Sequence, residues 1–212
     1  MDFVTRNFKL LAEDEDLIYY DGIAVQKDLN HTIEYGAEYF EKYVSYEGTP
    51  IALALNQFRV ELTEKYCNSV LDIGIGSGEF IKSSKIKIYG FDINPFGVEW
   101  LKTRKLYVNP YEEAISVDGW TFWDSLEHFQ DPQNILTLVP YCYVFISIPI
   151  FKNILEIKDN KHYRPDEHFN YFTTEGLINY MQYSGFQIIE YSDGETQVGR
   201  QSIFTFVFIR QS

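Results

Sequence analysis

One segment constrains this chain more than any other: Val70-Leu71-Asp72-Ile73-Gly74-Ile75-Gly76-Ser77-Gly78-Glu79-Phe80. An apolar, strand-forming run stops at three glycines in alternate positions, and a helix-compatible stretch follows. Glycines at such a turn let a ligand lie directly against backbone N–H groups. The turn also demands a buried strand before it and a helix after it. Beyond residue 66 short apolar runs alternate with helical segments, the pattern of a βαβ sheet. Strands are expected at Ser69 to Ile73, Ile86 to Phe91, Gly119 to Trp123, Tyr143 to Ile148, Gln187 to Tyr191 and Ile203 to Ile209. Helices are expected at about Gly78 to Ser84, Phe96 to Arg104, Pro132 to Leu138 and Thr174 to Ser184, with Asp131-Pro132 and Thr173 as N-terminal signals and Gly185 as a stop. Only the polar loop Asp193 to Ser202 separates the last two strands, so they should pair antiparallel.

Two ligand classes use a glycine turn of this kind, and spacing separates them. The dinucleotide fingerprint requires a third glycine five residues after the first. That position is Glu79, whose carboxylate would repel a pyrophosphate but tolerates a ligand bearing an amino group and a sulfonium. Asp92 closes the next strand in Ile88-Tyr-Gly-Phe-Asp-Ile-Asn-Pro95, at 92 − 72 = 20 residues beyond Asp72, where an acid accepts both hydroxyls of a ribose.

This loop and acid resemble the class I S-adenosylmethionine-dependent methyltransferases, whose first motif is Asp-x-Gly-x-Gly-x-Gly and whose second strand ends in an acid. The resemblance spans roughly residues 68 to 209. It implies an α/β fold with a Rossmann-like seven-stranded sheet, order 3-2-1-4-5-7-6, and S-adenosylmethionine as cofactor, released as S-adenosylhomocysteine. By position, Gly74, Gly76 and Gly78 would line the methionine moiety and Asp92 would bind the ribose. Asp72, Ile93 and Trp123 complete the implied cofactor set, with Trp123 and Phe91 as adenine neighbours. The departure from the family lies between Arg104 and Asp118, where a third strand is hard to find unless it is reduced to Ala114 to Ser116.

The fourth strand of that family delivers its C-terminal end to the reacting methyl group. Here it leads into Asp124-Ser-Leu-Glu-His-Phe-Gln-Asp-Pro132, which resembles small-molecule methyltransferases related to ubiquinone-pathway O-methyltransferases. Enzymes that methylate nucleic-acid amino groups carry Pro-Pro and an aromatic at this point to grip a flipped base, and neither proline is present. Charge agrees: 18 Lys plus Arg against 31 Asp plus Glu give a net −13, with no basic cluster to hold phosphates or an anionic membrane. The expected reaction is methyl transfer to an O, N or C atom of a small molecule. His128 or His168 is the expected general base, with Asp124 beside it, because imidazole titrates near neutral pH. Asp124, Glu127 and His128 at i, i+3 and i+4 would also suit a divalent cation. A base without an obligatory metal is the expectation carried forward.

Residues 1–66 read as a cover and 67–212 as the cofactor-binding domain. Leu17 to Tyr20, the turn Asp21-Gly22 and Ile23 to Val25 form a hairpin pattern. Helices should follow over Thr32 to Val44 and Pro50 to Tyr66. Tyr35, Tyr39 and Tyr43 recur at i+4, a spacing that serves ordinary packing or closure over a cationic ligand. The apolar stretch Tyr141 to Phe151 is too short to span a bilayer. Met1-Asp-Phe-Val-Thr-Arg lacks the features of a signal peptide, and Cys67 and Cys142 show no Cys-x-x-Cys spacing, so a cytoplasmic protein with reduced thiols is expected. Oligomeric state is left open. Two other readings also stay open: a non-catalytic nucleoside-binding module on the same fold, and a dinucleotide-dependent oxidoreductase.

Overall fold

Turn and cap residues set most of the element boundaries. The computed structural model describes residues 3–30 and 35–211, so the Thr32 start expected for the first cover helix lies outside the described residues. The chain begins with α1 (Phe3–Asn7), β1 (Leu10–Glu13), β2 (Leu17–Tyr20) and β3 (Ile23–Gln26). Asp21-Gly22 turns β2 back on β3, with Tyr20 opposite Ile23 and Gly22 at φ 85°. Then come α2 (Ala37–Tyr46) and α3 (Pro50–Glu64). Thr49 caps α3 by accepting the Ala52 N–H at 3.3 Å, and Pro50 sits in the first turn where its missing N–H costs nothing.

From there strand and helix alternate as expected: β4 (Ser69–Ile73), α4 (Glu79–Ser83), β5 (Lys87–Phe91), α5 (Pro95–Thr103), β6 (Gly119–Trp123), α6 (Gln133–Leu136), β7 (Tyr143–Pro149), β8 (Asn170–Phe172), α7 (Thr174–Tyr183), β9 (Phe186–Ser192), α8 (Gly194–Gln197) and β10 (Ile203–Arg210). A 3-10 turn, Leu126–His128, follows β6, and another, Ile154–Asp159, follows β7. The main sheet runs β5-β4-β6-β7-β10-β9. Its first four strands are parallel, and β10 is antiparallel to both neighbours, as the short polar connection requires. A smaller sheet, β1-β2-β3-β8, joins the N-terminal hairpin to a strand from far along the chain, with Ile23 opposite Phe172.

The expected seven strands and their order are corrected to six, because the third is absent among the described residues. Its place beside β5 holds one parallel bridge, Gly90 to Tyr107, made by Gly90 N–H to Leu106 O at 2.9 Å and Val108 N–H to Gly90 O at 3.0 Å. Pro110 then lacks the donor a further ladder rung would need, and Asn109 turns the chain by accepting the Tyr111 N–H. Ala114 to Ser116 is irregular, so the remnant lies earlier than expected. Every residue of β6 and all of β7 after Tyr143 are buried, which is why these strands read as continuous apolar runs. Phe122, Phe145, Phe206 and Phe208 are fully enclosed, each contributing about 1.5–3 kcal/mol of burial.

Candidate active site

The glycine loop leaves β4 with all three glycines in the left-handed region: Gly74 at φ 81°, Gly76 at 55° and Gly78 at 75°. The three meet different surroundings. A Cβ on Gly74 would stand 2.9 Å from the Ser125 Cβ, and one on Gly78 would stand 2.7 Å from the Trp100 ring. Those two glycines serve packing as well as backbone shape. Above Gly76 the nearest atom to such a Cβ is on the Tyr43 ring, at 3.6 Å, so this glycine faces the cover rather than the core.

Beneath the loop, Asp72 is 1% exposed and accepts a hydrogen bond from Thr121 Oγ1 at 2.7 Å. Burial pushes its carboxyl up to about 7, against the pull of Thr121 and the Arg59 charge. Asp92 directly follows β5 and reaches back to the loop. Its Oδ2 accepts the Ile75 N–H at 3.0 Å and its Oδ1 accepts the Asn94 N–H at 2.8 Å. Burial raises the Asp92 carboxyl, and these backbone donors oppose the rise. The neighbouring Ile93 is 66% exposed. Asn94 ties this edge to the cover by donating to Gly36 O at 3.2 Å.

The cover reaches across to the end of β6. The Tyr43 and Tyr39 hydroxyls are 3.1 Å apart, the Tyr39 and Tyr35 rings meet edge to face at 4.9 Å, and the Tyr35 hydroxyl lies 3.3 Å from His128 Nδ1. A tyrosine row therefore runs from the glycine loop to His128. Burial raises all three phenols, Tyr35 to about 12. Glu79, first residue of α4, fastens the cover from below by accepting the Gly48 N–H at 3.1 Å and the Asn56 side-chain N–H at 3.0 Å.

His128 packs edge to face on His168, ring centres 4.8 Å apart. Glu127, 2% exposed, completes the group: one ligand-type atom from each of the three lies within 4.8 Å of the others. Burial, then the Asp124 charge, pushes the Glu127 carboxyl well above its usual range. Burial also drives His168 down to about 2, helped by the neighbouring His128, so His168 is a neutral ring.

Asp124 takes no part in that group through its carboxylate, which two arginines hold. Arg59 of α3 donates to Oδ2 at 2.8 Å, and Arg200 donates to Oδ2 at 2.9 Å and Oδ1 at 2.8 Å. Both arginines also hold Glu195 of α8, fully buried, which accepts from Ser147 at 2.7 Å. Burial works against ionisation of Asp124, but Arg200 and Arg59 outweigh it and keep the carboxyl well below its usual range. The backbone of Asp124 is itself left-handed, at φ 53°. Trp123 is 6% exposed and belongs to the core, edge to face with Phe80 at 5.5 Å and under the Arg59 guanidinium at 5.0 Å. The sequence reading missed the Arg59, Glu195 and Arg200 cluster altogether. No local motif marks it, since its members are contributed by α3, α8 and the loop before β10.

No curated protein matches this chain. Solved structures resemble its fold. An Archaeoglobus fulgidus SAM-dependent methyltransferase superposes with TM-score 0.59 at 18% identity, covering 82% of this chain and 100% of that one. A Thermotoga maritima SAM-dependent methyltransferase described as a possible histamine N-methyltransferase gives 0.58 at 16% identity, covering 82% and 97%. A Burkholderia thailandensis 1,6-didemethyltoxoflavin-N1-methyltransferase, solved with its substrate and S-adenosylhomocysteine, gives 0.52 at 13% identity, covering 96% and 100%. A family model described as "Methyltransferase domain" matches residues 37–191, which takes in Tyr39 and Tyr43 of the tyrosine row, the glycine loop, Asp92 and the Glu127, His128, His168 group. The chain belongs to this methyltransferase-domain family.

Proposed function

We propose that this methyltransferase takes S-adenosylmethionine on the glycine loop and transfers its methyl group to an O, N or C atom of a small molecule held beneath the tyrosine row. The observation that carries the reading is the hydrogen bond from Ile75 N–H to Asp92, which brings the two halves of the expected cofactor site together at 3.0 Å. The residues fit the ligand. Gly76 keeps its backbone bare of a side chain where it faces the Tyr43 ring, and Asp92 is a carboxylate held by backbone N–H groups at the end of the neighbouring strand, the place a ribose-binding acid takes. Ile93 lies exposed at the same edge.

The cofactor supplies an activated methyl on a sulfonium. This chain supplies position: the loop and Asp92 hold one reactant, and the tyrosines exclude water and face the cation with π-electrons. His128 would take up the proton of an acidic acceptor, with Glu127 and His168 packed against it, whereas Asp124 orients the turn through its two arginines. Small-molecule acceptors are favoured by the net charge of −13 and by the 1,6-didemethyltoxoflavin bound in the fold relative that methylates it. A cytoplasmic setting is part of this reading, in keeping with two free, buried cysteines. Among the described residues no helix is long and apolar enough to cross a membrane.

Calorimetry with S-adenosylmethionine and S-adenosylhomocysteine tests the reading. Both should bind, and Asp92→Ala should weaken binding by about 1.5–3 kcal/mol, roughly 10- to 150-fold. Unchanged affinity in a folded Asp92→Ala protein removes the ribose assignment, and preferential binding of NADH overturns the cofactor.

A further inference from the structure

We propose that Glu127, His128 and His168 form a binding site for a divalent transition-metal ion. The three donors come from separate places: Glu127 and His128 from the 3-10 turn after β6, and His168 from the approach to β8. They converge so that one candidate ligand atom from each lies within 4.8 Å of the others. Ligands about 2.1 Å from a tetrahedral ion stand about 3.4 Å apart, so the group closes on an ion by drawing together by about 1 Å.

A second observation concerns the same carboxylate. Glu127 is 2% exposed, and its Oε2 is buried with no hydrogen-bond partner. A buried carboxylate oxygen without a partner is costly, and native proteins rarely keep one unless an ion or another unseen partner supplies the missing contact. The donor set selects the ion. Two imidazoles with one carboxylate suit Zn²⁺, Mn²⁺, Fe²⁺ or Co²⁺, whereas Mg²⁺ and Ca²⁺ prefer oxygen alone. Nearby partners suit the role as well. The Tyr35 hydroxyl, 3.3 Å from His128 Nδ1, orients that ring from outside. Around the group stand Asp124, neutralised by Arg59 and Arg200, and the tyrosine row of the cover. Asp124 is not a ligand in this assignment, which separates it from the Asp124, Glu127, His128 set that sequence spacing suggested.

Three protein ligands leave a tetrahedral ion one open position. An acceptor hydroxyl bound there would lose its proton more readily, in place of a histidine base. That use rests on the methyl-transfer reading; the binding of the ion does not.

The experiment is a titration of the full chain, freed of metal, with Co²⁺ and with Zn²⁺, followed by calorimetry and by the Co²⁺ absorption spectrum, with Mg²⁺ as the contrast. One ion per chain is expected, with a ligand-field spectrum of low coordination number. Glu127→Gln and His168→Asn should each weaken it at least 100-fold. S-adenosylhomocysteine affinity, measured on the same samples, reports separately on the cofactor reading and on folding of the variants. Sub-stoichiometric binding, or binding that survives both substitutions, overturns the site. Should Glu127→Gln fail to fold, His168→Asn and the wild-type spectrum decide.

Discussion

Replacing Asp72 by Asn tests whether the base of the glycine loop carries a proton in the folded protein. Its carboxyl is 1% exposed and has one short side-chain donor, Thr121 Oγ1 at 2.7 Å. Burial outweighs that bond and the Arg59 charge and lifts the carboxyl from 3.8 to about 7. The folded state therefore binds more protons than the unfolded state between those two values. The contribution of this group to stability is fully present below pH 3.8 and is lost as pH rises through about 7. At about 1.36 kcal/mol for each pH unit between the two values, the total is about 4 kcal/mol, more than half of it between pH 5 and pH 8. Asn keeps an oxygen for Thr121 and cannot ionise. Urea unfolding of ligand-free wild type and Asp72→Asn at four pH values from 5 to 8 should show the variant gaining on wild type steadily, and overtaking it where the wild-type carboxyl ionises. Parallel curves for the two proteins would refute the argument, since they would mean that Asp72 ionises as freely when folded as when unfolded.

Two further substitutions separate scaffold from site. Gly76→Ala and Gly78→Ala share a left-handed backbone cost of about 1–2 kcal/mol, but only at Gly78 does the new methyl collide with the Trp100 ring, at 2.7 Å. Gly78→Ala should lose distinctly more unfolding free energy, whereas Gly76→Ala should keep the fold and lose S-adenosylhomocysteine affinity; equal stability losses would reject the distinction. Arg59→Met leaves the fully buried Glu195 with Arg200 as its remaining cation, and should cost about 3–5 kcal/mol in urea unfolding. The double variant Arg59→Met, Glu195→Gln should recover part of that loss, and a single-variant loss under about 1 kcal/mol would show that Arg200 suffices alone.

Local chemistry left a clear record in the chain. The glycine turn, the Asp21-Gly22 hairpin, the Thr49-Pro50 and Thr173 helix starts and the buried runs of β6 and β7 were legible because each depends on residues within a few positions of one another. Asp92 was legible for a related reason: the spacing of a βα unit fixes where the second strand ends, and its bond to Ile75 follows. The third strand misled because its brief apolar run, Leu106 to Val108, is cut off by the Asn109-Pro110 turn after one bridge, too short for any periodicity to show.

Tertiary structure alone decided the partners of the charged and titratable groups. Asp124 stood next to Glu127 and His128 in sequence, yet its carboxylate went to Arg59 and Arg200, 65 and 76 residues away. Glu127 and His128 met His168 instead, and Tyr43 of the cover came to rest over Gly76. The physical reason is the same in each case. Buried charges and polar atoms must find partners wherever packing places them, and Coulomb's law and hydrogen bonding act on distance in space, whereas the periodicities that a sequence displays record only which side of a helix or strand is dry.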